Sequence, residues 1–247
     1  MSQENVLIVE NVTKRFGGLR ALNKVNVEVK KGEILGLIGP NGSGKTTLFN
    51  VIMGFYHPEE GRIRLQGEDI TKLKPHEIAR KGVGRTFQIV RPFGDMSVLD
   101  NILVSGLFSV PRGGVHRKIE DRCHDVLEIT RLTELMNAPA DALSIAEKRR
   151  LEIARALALD PQLLLLDETM AGLTHTEVNQ ALEMTSRIRK EFGLTMIFVE
   201  HVMRAIMAIS ERIVVLSEGT KIAEGSPKEV SENEQVLNAY LGHRRAS

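Results

Sequence analysis

Residues 34–47 read Ile-Leu-Gly-Leu-Ile-Gly-Pro-Asn-Gly-Ser-Gly-Lys-Thr-Thr. The first five form a short apolar run that predicts a buried strand. From Gly39 onward the residues make a complete G-x-x-x-x-G-K-S/T phosphate loop that opens a helix. Gly39, Gly42 and Gly44 let the backbone curl until successive N–H groups point inward at an anion. The helix starting near Lys45 adds the positive end of its dipole. Lys45 is placed to bridge the outer phosphates and the Thr46 hydroxyl to hold Mg²⁺. Pro40, Asn41, Ser43 and Thr47 complete the loop. The stretch predicts a site for a nucleoside triphosphate.

The chain has 247 residues, enough for one well-buried core with a smaller subdomain. With 33 basic against 32 acidic side chains there is no global field to draw in nucleic acid or anionic lipid. The single cysteine, Cys123, excludes an intramolecular disulfide and suits a reducing compartment. It falls in the helical stripe Ile119, Cys123, Val126, Leu127, which predicts a buried thiol. The N-terminus lacks a signal-peptide pattern, and no apolar stretch approaches the ~20 residues that cross a bilayer. A soluble protein is expected, with any membrane role reached through partners.

Residues 6–35 read as strands, with Val25, Val27 and Val29 alternating with Asn26, Glu28 and Lys30. Residues 61–67 alternate in the same way between two glycines, which predicts a short strand near a hairpin. Leu163–Leu166, Thr195–Val199 and Ile213–Leu216 are continuous apolar runs, as expected of central strands in a parallel sheet. Helical patterns lie around 146–159, 177–191 and 202–209, so the alternation implies an α/β sheet with crossovers. The stretch from about 89 to 143 is helix-rich and broken by Pro92, Pro111, Gly113-Gly114 and Pro139. It reads as an inserted helical subdomain, 89–143, within a core of 1–88 and 144–247.

Leu163 to Glu168 is a strand ending in two carboxylates, and a strand's C-terminal edge faces the crevice where α/β proteins bind ligands. Asp167 is placed to hold Mg²⁺ through water, and Glu168 to orient or deprotonate an attacking water. The alternative is that Asp167-Glu168 ends the strand with solvated charge. His201 follows a second such strand and is placed to donate a hydrogen bond to a terminal phosphate.

Taken in order, these segments resemble the ATP-binding subunit of ABC transporters over essentially the whole chain. The set is the phosphate loop, Thr86-Phe87-Gln88, a signature-like segment at 143–147, Leu163–Glu168, Ala171-Gly172-Leu173 and His201. The resemblance implies a P-loop ABC ATPase core with an N-terminal antiparallel β subdomain and an inserted helical subdomain. It also implies that Gln88 senses Mg²⁺ and the γ-phosphate, that Glu168 is the catalytic base, and that His201 is the switch histidine. Phe16 matches the aromatic that stacks on adenine; the alternative is an ordinary strand-end core residue. Arg15–Leu22, Gly84–Gln88 and the tail Val236–Gly242 are similar to the branched-chain amino-acid importer group. That likeness implies a Mg-dependent ATPase that energises uptake of branched-chain or related small hydrophobic amino acids or amides. Its expected partners are a second ATP-binding subunit, identical or different, two membrane-spanning permease subunits and, indirectly, an external solute-binding protein. No nucleic acid is expected. Its expected place is peripheral, on the cytoplasmic face of the inner or plasma membrane.

The signature departs from the family's L-S-G-G-Q: here it is Leu143-Ser144-Ile145-Ala146-Glu147. The Cβ of Ala146 replaces a glycine where backbone N–H groups would approach a partner's γ-phosphate. Ser144-Ile145-Ala146-Glu147 is also an S-x-x-E capping box, which would form whether or not nucleotide arrives. This leaves an alternative open, an ATP-gated dimerisation module with slow turnover. Thr169 stands where the family often has Pro, and Thr174 where it often has Asp or Asn. A GTPase is disfavoured, because Asn23-Lys24-Val25-Asn26 precedes the loop and lacks the Asp of N-K-x-D.

Overall fold

The computed structural model describes residues 4–87, 91–109 and 119–242. In chain order its first elements are β1 (Asn5–Phe16), β2 (Leu19–Lys30), β3 (Ile34–Ile38), α1 (Lys45–Ile52), β4 (Glu60–Leu65), β5 (Glu68–Asp69) and α2 (Pro75–Arg80). Then come β6 (Val83–Arg85), α3 (Val98–Gly106), α4 (Ile119–Ile129), α5 (Ile145–Ala158), β7 (Leu163–Asp167) and α6 (His175–Phe192). The chain closes with β8 (Thr195–Val199), α7 (Met203–Ile209), β9 (Arg212–Ser217), β10 (Thr220–Gly225), α8 (Pro227–Ser231) and α9 (Glu234–Gly242). No described helix is long and apolar enough to cross a membrane.

The chain forms two compact units, one of residues 1–78 and 195–247, the other of residues 79–194. These limits follow packing, whereas the sequence boundaries at 88/89 and 143/144 follow composition.

In the first unit, β2-β1-β4-β5 form an antiparallel sheet. β1 and β2 are joined through Gly17-Gly18, with Phe16 opposite Leu19. Val25, Val27 and Val29 are buried while Asn26, Glu28 and Lys30 are exposed, so the period-two pattern sorts one face into the core. A second group of strands is parallel at its centre: β3 pairs with both β8 and β9. β10 returns antiparallel along β9. All five residues of β3 and of β8 are buried, which is why both read as unbroken apolar runs.

In the second unit, β6 lies parallel to β7 with Arg85 opposite Leu165. Helices α3, α4 and α5 pack against one another. The buried Asn101 of α3 pins the preceding loop, its amide donating to the carbonyls of Phe93 and Ser97 while its oxygen accepts from the Phe93 N–H. Arg122, also buried, donates to the Ala158 carbonyl at the end of α5.

Helices α5, α6 and α8 each start with a complete capping box: Ser144 with Glu147, Thr174 with Glu177, and Ser226 with Glu229. The hydrogen bonds from Ser144, side chain first and then backbone, hold the Glu147 carboxyl below its ordinary range. The capping reading of the signature segment is therefore present in the fold.

Cys123 is buried on α4 beside Val126 and Leu127. Burial pushes its thiol up, with Arg122 pulling slightly the other way and Glu120 reinforcing the rise. The thiolate fraction at pH 8 is accordingly reduced as well as shielded. Alkylation of the native chain by iodoacetamide at pH 8 is expected to run about a hundredfold slower than in urea. Comparable rates in the two conditions would show an accessible thiol.

Candidate functional site: a phosphate loop and a buried carboxylate strand

The phosphate loop lies between β3 and α1, and its glycines are there for steric reasons. Gly39, Gly42 and Gly44 all have positive φ, at 152°, 75° and 106°. A Cβ on Gly39 would collide with the Leu216 carbonyl oxygen, and one on Gly44 would stand 2.7 Å from that of Ala21. Only glycine lets the loop close so tightly against β9 and β2. Gly44 caps α1 without any side-chain hydrogen bond, and the first turn carries no acidic residue. The positive end of the helix is thus unneutralised, as anion binding requires.

Lys45 is buried, and its ammonium donates to the carbonyls of Gly39 at 2.7 Å and Pro40 at 3.1 Å. Its charge is therefore held inside the loop, with Ser43 Oγ 3.4 Å away. Thr46 is exposed at the start of α1. The β9–β10 turn braces the loop from behind: the Gly219 N–H donates to the Ser43 carbonyl, and the Gly219 carbonyl accepts from the Asn23 N–H. Tyr240 of α9 is half-buried; burial raises its phenol, and the Gly39 backbone pulls it back.

Phe16 ends β1 and is 41% exposed, so it is a surface ring and not a core residue. Tyr56 meets it edge-on, with ring centroids 5.1 Å apart and planes at 77°. The Lys14 ammonium stands 5.5 Å from the Phe16 centroid and is anchored on the His57 carbonyl and the Glu59 carboxylate. The result is a braced, outward-facing aromatic platform. His201 follows β8 and is exposed. Because Leu37 is level with Val199 in the parallel pair, the phosphate loop and His201 leave the sheet at one edge.

The second unit carries the carboxylates. Asp167 closes β7 and is buried, its Oδ2 paired with Arg85 at 2.8 Å. The Asp167 N–H donates to Thr86 Oγ1, and the Thr86 N–H to the Leu165 carbonyl, so the ends of β6 and β7 are stitched together. Glu168 follows with φ 50°, a left-handed backbone that is uncommon for a glutamate. Its side chain is half-buried. Gln88 lies outside the described residues. Ser144 is exposed at the N-cap of α5, and Ala146 is half-buried in its first turn. Arg85, Gly219 and Tyr56 are the participants that the sequence reading missed. The signal for Arg85 was a charge set in an otherwise apolar strand, Val83-Gly84-Arg85.

Comparison with known proteins gives the family. Residues 22–171 match the family described as ABC transporter, and residues 216–246 match the branched-chain amino acid ATP-binding cassette transporter family. The chain is 43% identical over 250 residues to the high-affinity branched-chain amino acid transport ATP-binding protein BraF of Pseudomonas aeruginosa, spanning 96% of this chain and 98% of that protein. It is 42% identical over 254 residues to LivG of Escherichia coli K12, spanning 98% and 99%. It is 35% identical to the lipopolysaccharide export system ATP-binding protein LptB of the same organism, spanning 96% and 97%. Among solved structures, the ADP conformation of MJ1267, an ATP-binding cassette of an ABC transporter, superposes with TM-score 0.86 at 31% identity, over 96% of this chain and 99% of that one. The dimeric, post-hydrolysis cassette MJ0796 with bound ADP and Pi superposes with TM-score 0.78 at 27% identity, over 90% and 98%. With its glycine-shaped phosphate loop and strand-end carboxylates, the chain belongs to the ABC transporter family, as one of its nucleotide-binding ATPase subunits.

Proposed function

We propose that this chain energises the import of branched-chain amino acids by binding and hydrolysing ATP at the cytoplasmic face of a membrane. The observation that carries this reading is the 42–43% identity, over nearly the whole of both chains, to BraF and LivG. In this reading two cassettes close head to tail, and each nucleotide lies between one chain's phosphate loop and the other's Ser144 segment. Two permease subunits receive the closure, and an external binding protein delivers the solute.

The chain's own residues supply the chemistry as follows. Phe16, held edge-on by Tyr56, stacks on adenine. The N–H groups of residues 39–47 and the ammonium of Lys45 bind the phosphates. Glu168 takes the proton from the attacking water, and His201 donates to the oxygen on which charge develops. Thr46, Asp167 and Gln88 offer hard oxygen donors, which fit Mg²⁺. No three described His, Cys, Asp or Glu side chains cluster as a ready-made metal site, which suits an ion held largely by phosphate oxygens. When bound, Mg²⁺ neutralises charge on the β- and γ-phosphates. Ser144 still presents a helix N-terminus to the partner's phosphate, although Ala146 and Glu147 stand where the family pattern has Gly and Gln.

The test is uptake of labelled leucine by vesicles holding the complete transporter, with ATP inside. Leucine accumulation is expected, with Lys45→Ala lowering it by at least about tenfold. ATP hydrolysis stimulated by a different solute, with no leucine uptake, would overturn the assignment of substrate.

A further inference from the structure

Helix α5 starts at the signature segment, and further along it grips the strand end that leads into Gln88. The backbone N–H of Phe87 donates to Glu152 Oε1 at 2.8 Å. The carbonyl of the same residue accepts from Arg149 NH1 at 3.2 Å. Both peptide groups of Phe87 are thus held by α5, and the second of them is the peptide joined to Gln88. One turn further on, Arg155 donates to the Arg91 carbonyl at 3.1 Å and lies 4.9 Å from the Phe93 ring. Residues 149, 152 and 155 recur at intervals of three, so they share one face of the helix and meet the segment that enters and leaves 88–90.

This arrangement is costly for the fold itself. The Glu152 side chain is 8% exposed, and Arg149 lies 3.9 Å from it. Burial pushes the Glu152 carboxyl up, while the Phe87 N–H and then Arg149 and Arg155 pull it back. A carboxyl whose folded pKa is raised loses stability as pH rises through that value. At neutral pH Glu152 is therefore a stability cost. A buried carboxyl aimed at one backbone N–H makes sense where the position of that backbone matters.

We infer that Glu152 and Arg149 are positioning residues for hydrolysis: they clamp Phe87, and thereby the approach to Gln88, onto the helix whose first turn faces the partner's nucleotide. The eight residues from Ile145 to Glu152 span about 12 Å of continuous helix, short enough to move as one body. Occupancy at the N-terminus of α5 is then felt at Phe87, the residue before Gln88. By linkage the influence also runs the other way. The inference rests on the proposed role of Gln88.

The test compares Glu152→Gln and Glu152→Ala in the full chain within the assembled transporter. Glutamine keeps an oxygen for the Phe87 N–H and removes the titratable group, so turnover is expected within about twofold of the parent. Alanine is expected to lower kcat about tenfold and raise the Mg²⁺ concentration for half-maximal rate, with ATP affinity unchanged. A separate measurement, hydrogen exchange at the Phe87 amide, should show protection in the parent and in Glu152→Gln and its loss in Glu152→Ala. If Glu152→Ala fails to fold, Arg149→Met decides alone, with about a threefold fall in kcat expected. Unchanged kcat and Mg²⁺ dependence in a folded Glu152→Ala, or an equal fall in Glu152→Gln, overturns the inference. If the parent hydrolyses no ATP, the proposed function fails, and the exchange data still decide the clamp.

Discussion

Glutamine in place of Glu168 is expected to slow ATP hydrolysis by about 10²- to 10⁴-fold while leaving nucleotide affinity within about twofold. The side chain keeps its volume and hydrogen-bonding reach but loses the basic oxygen. The backbone supports this choice of residue. Glu168 sits at φ 50° directly after the buried strand β7, where an L-residue with a long side chain is disfavoured. Such a conformation costs of order 1–3 kcal/mol, and it persists only where the surroundings impose it. Asp167, one residue earlier, is locked by Arg85 and Thr86, so the turn that projects Glu168 is fixed from its N-terminal side. The measurement is single-turnover hydrolysis with enzyme in excess, beside titration with a fluorescent ATP analogue. Turnover within about threefold of the parent would reduce Glu168 to a solvated strand end.

The phosphate loop was legible because its constraint is local: three glycines within six residues serve a single tight curl. β7 and β8 were legible because strands covered on both faces have no reason to alternate. The capping box at Ser144 was legible for a similar reason, its partners being three residues apart. β6 is only three residues long, too short to show a period, and β10 is half-exposed and polar. Neither stands out from a loop in sequence. Which residues pair across the chain left no trace in the sequence. Arg85 meets Asp167 across 82 positions, and Phe87 meets Glu152 across 65. Phe16 gained its surface role from Tyr56, a neighbour forty residues away that no periodicity links to it. Gln88 was assigned through resemblance, because a lone glutamine carries no chemical signature of its own. Glu152 did leave a hint, a charge set between Leu151 and Ile153 on a helix otherwise buried at those positions.

Removing Arg85 should be among the most destabilising single changes available to this chain. Both side chains of the Arg85–Asp167 pair are 4% exposed, and they meet at 2.8 Å. Truncating one member of a buried pair leaves the other charged and unsolvated, at a cost of about 3–5 kcal/mol. For a chain of this size that corresponds to a fall in Tm of roughly 6–20 °C. The diagnostic comparison is Arg85→Ala against Arg85→Ala with Asp167→Asn. If the cost is the orphaned carboxylate, the asparagine removes it and the double variant melts above the single one, a non-additivity that independent sites would not give. If the two melt together, the loss is instead that of the guanidinium's packing, 5.0 Å from the Phe87 ring. Arg85→Lys should fall short of the parent in either case, since an ammonium cannot both pair with Asp167 and present a flat face to an aromatic ring. Activity separates the roles further. The double variant is expected to regain stability without regaining turnover, because Asp167 is also the carboxylate proposed to hold Mg²⁺. Recovery of both together would mean that Asp167 serves the fold alone.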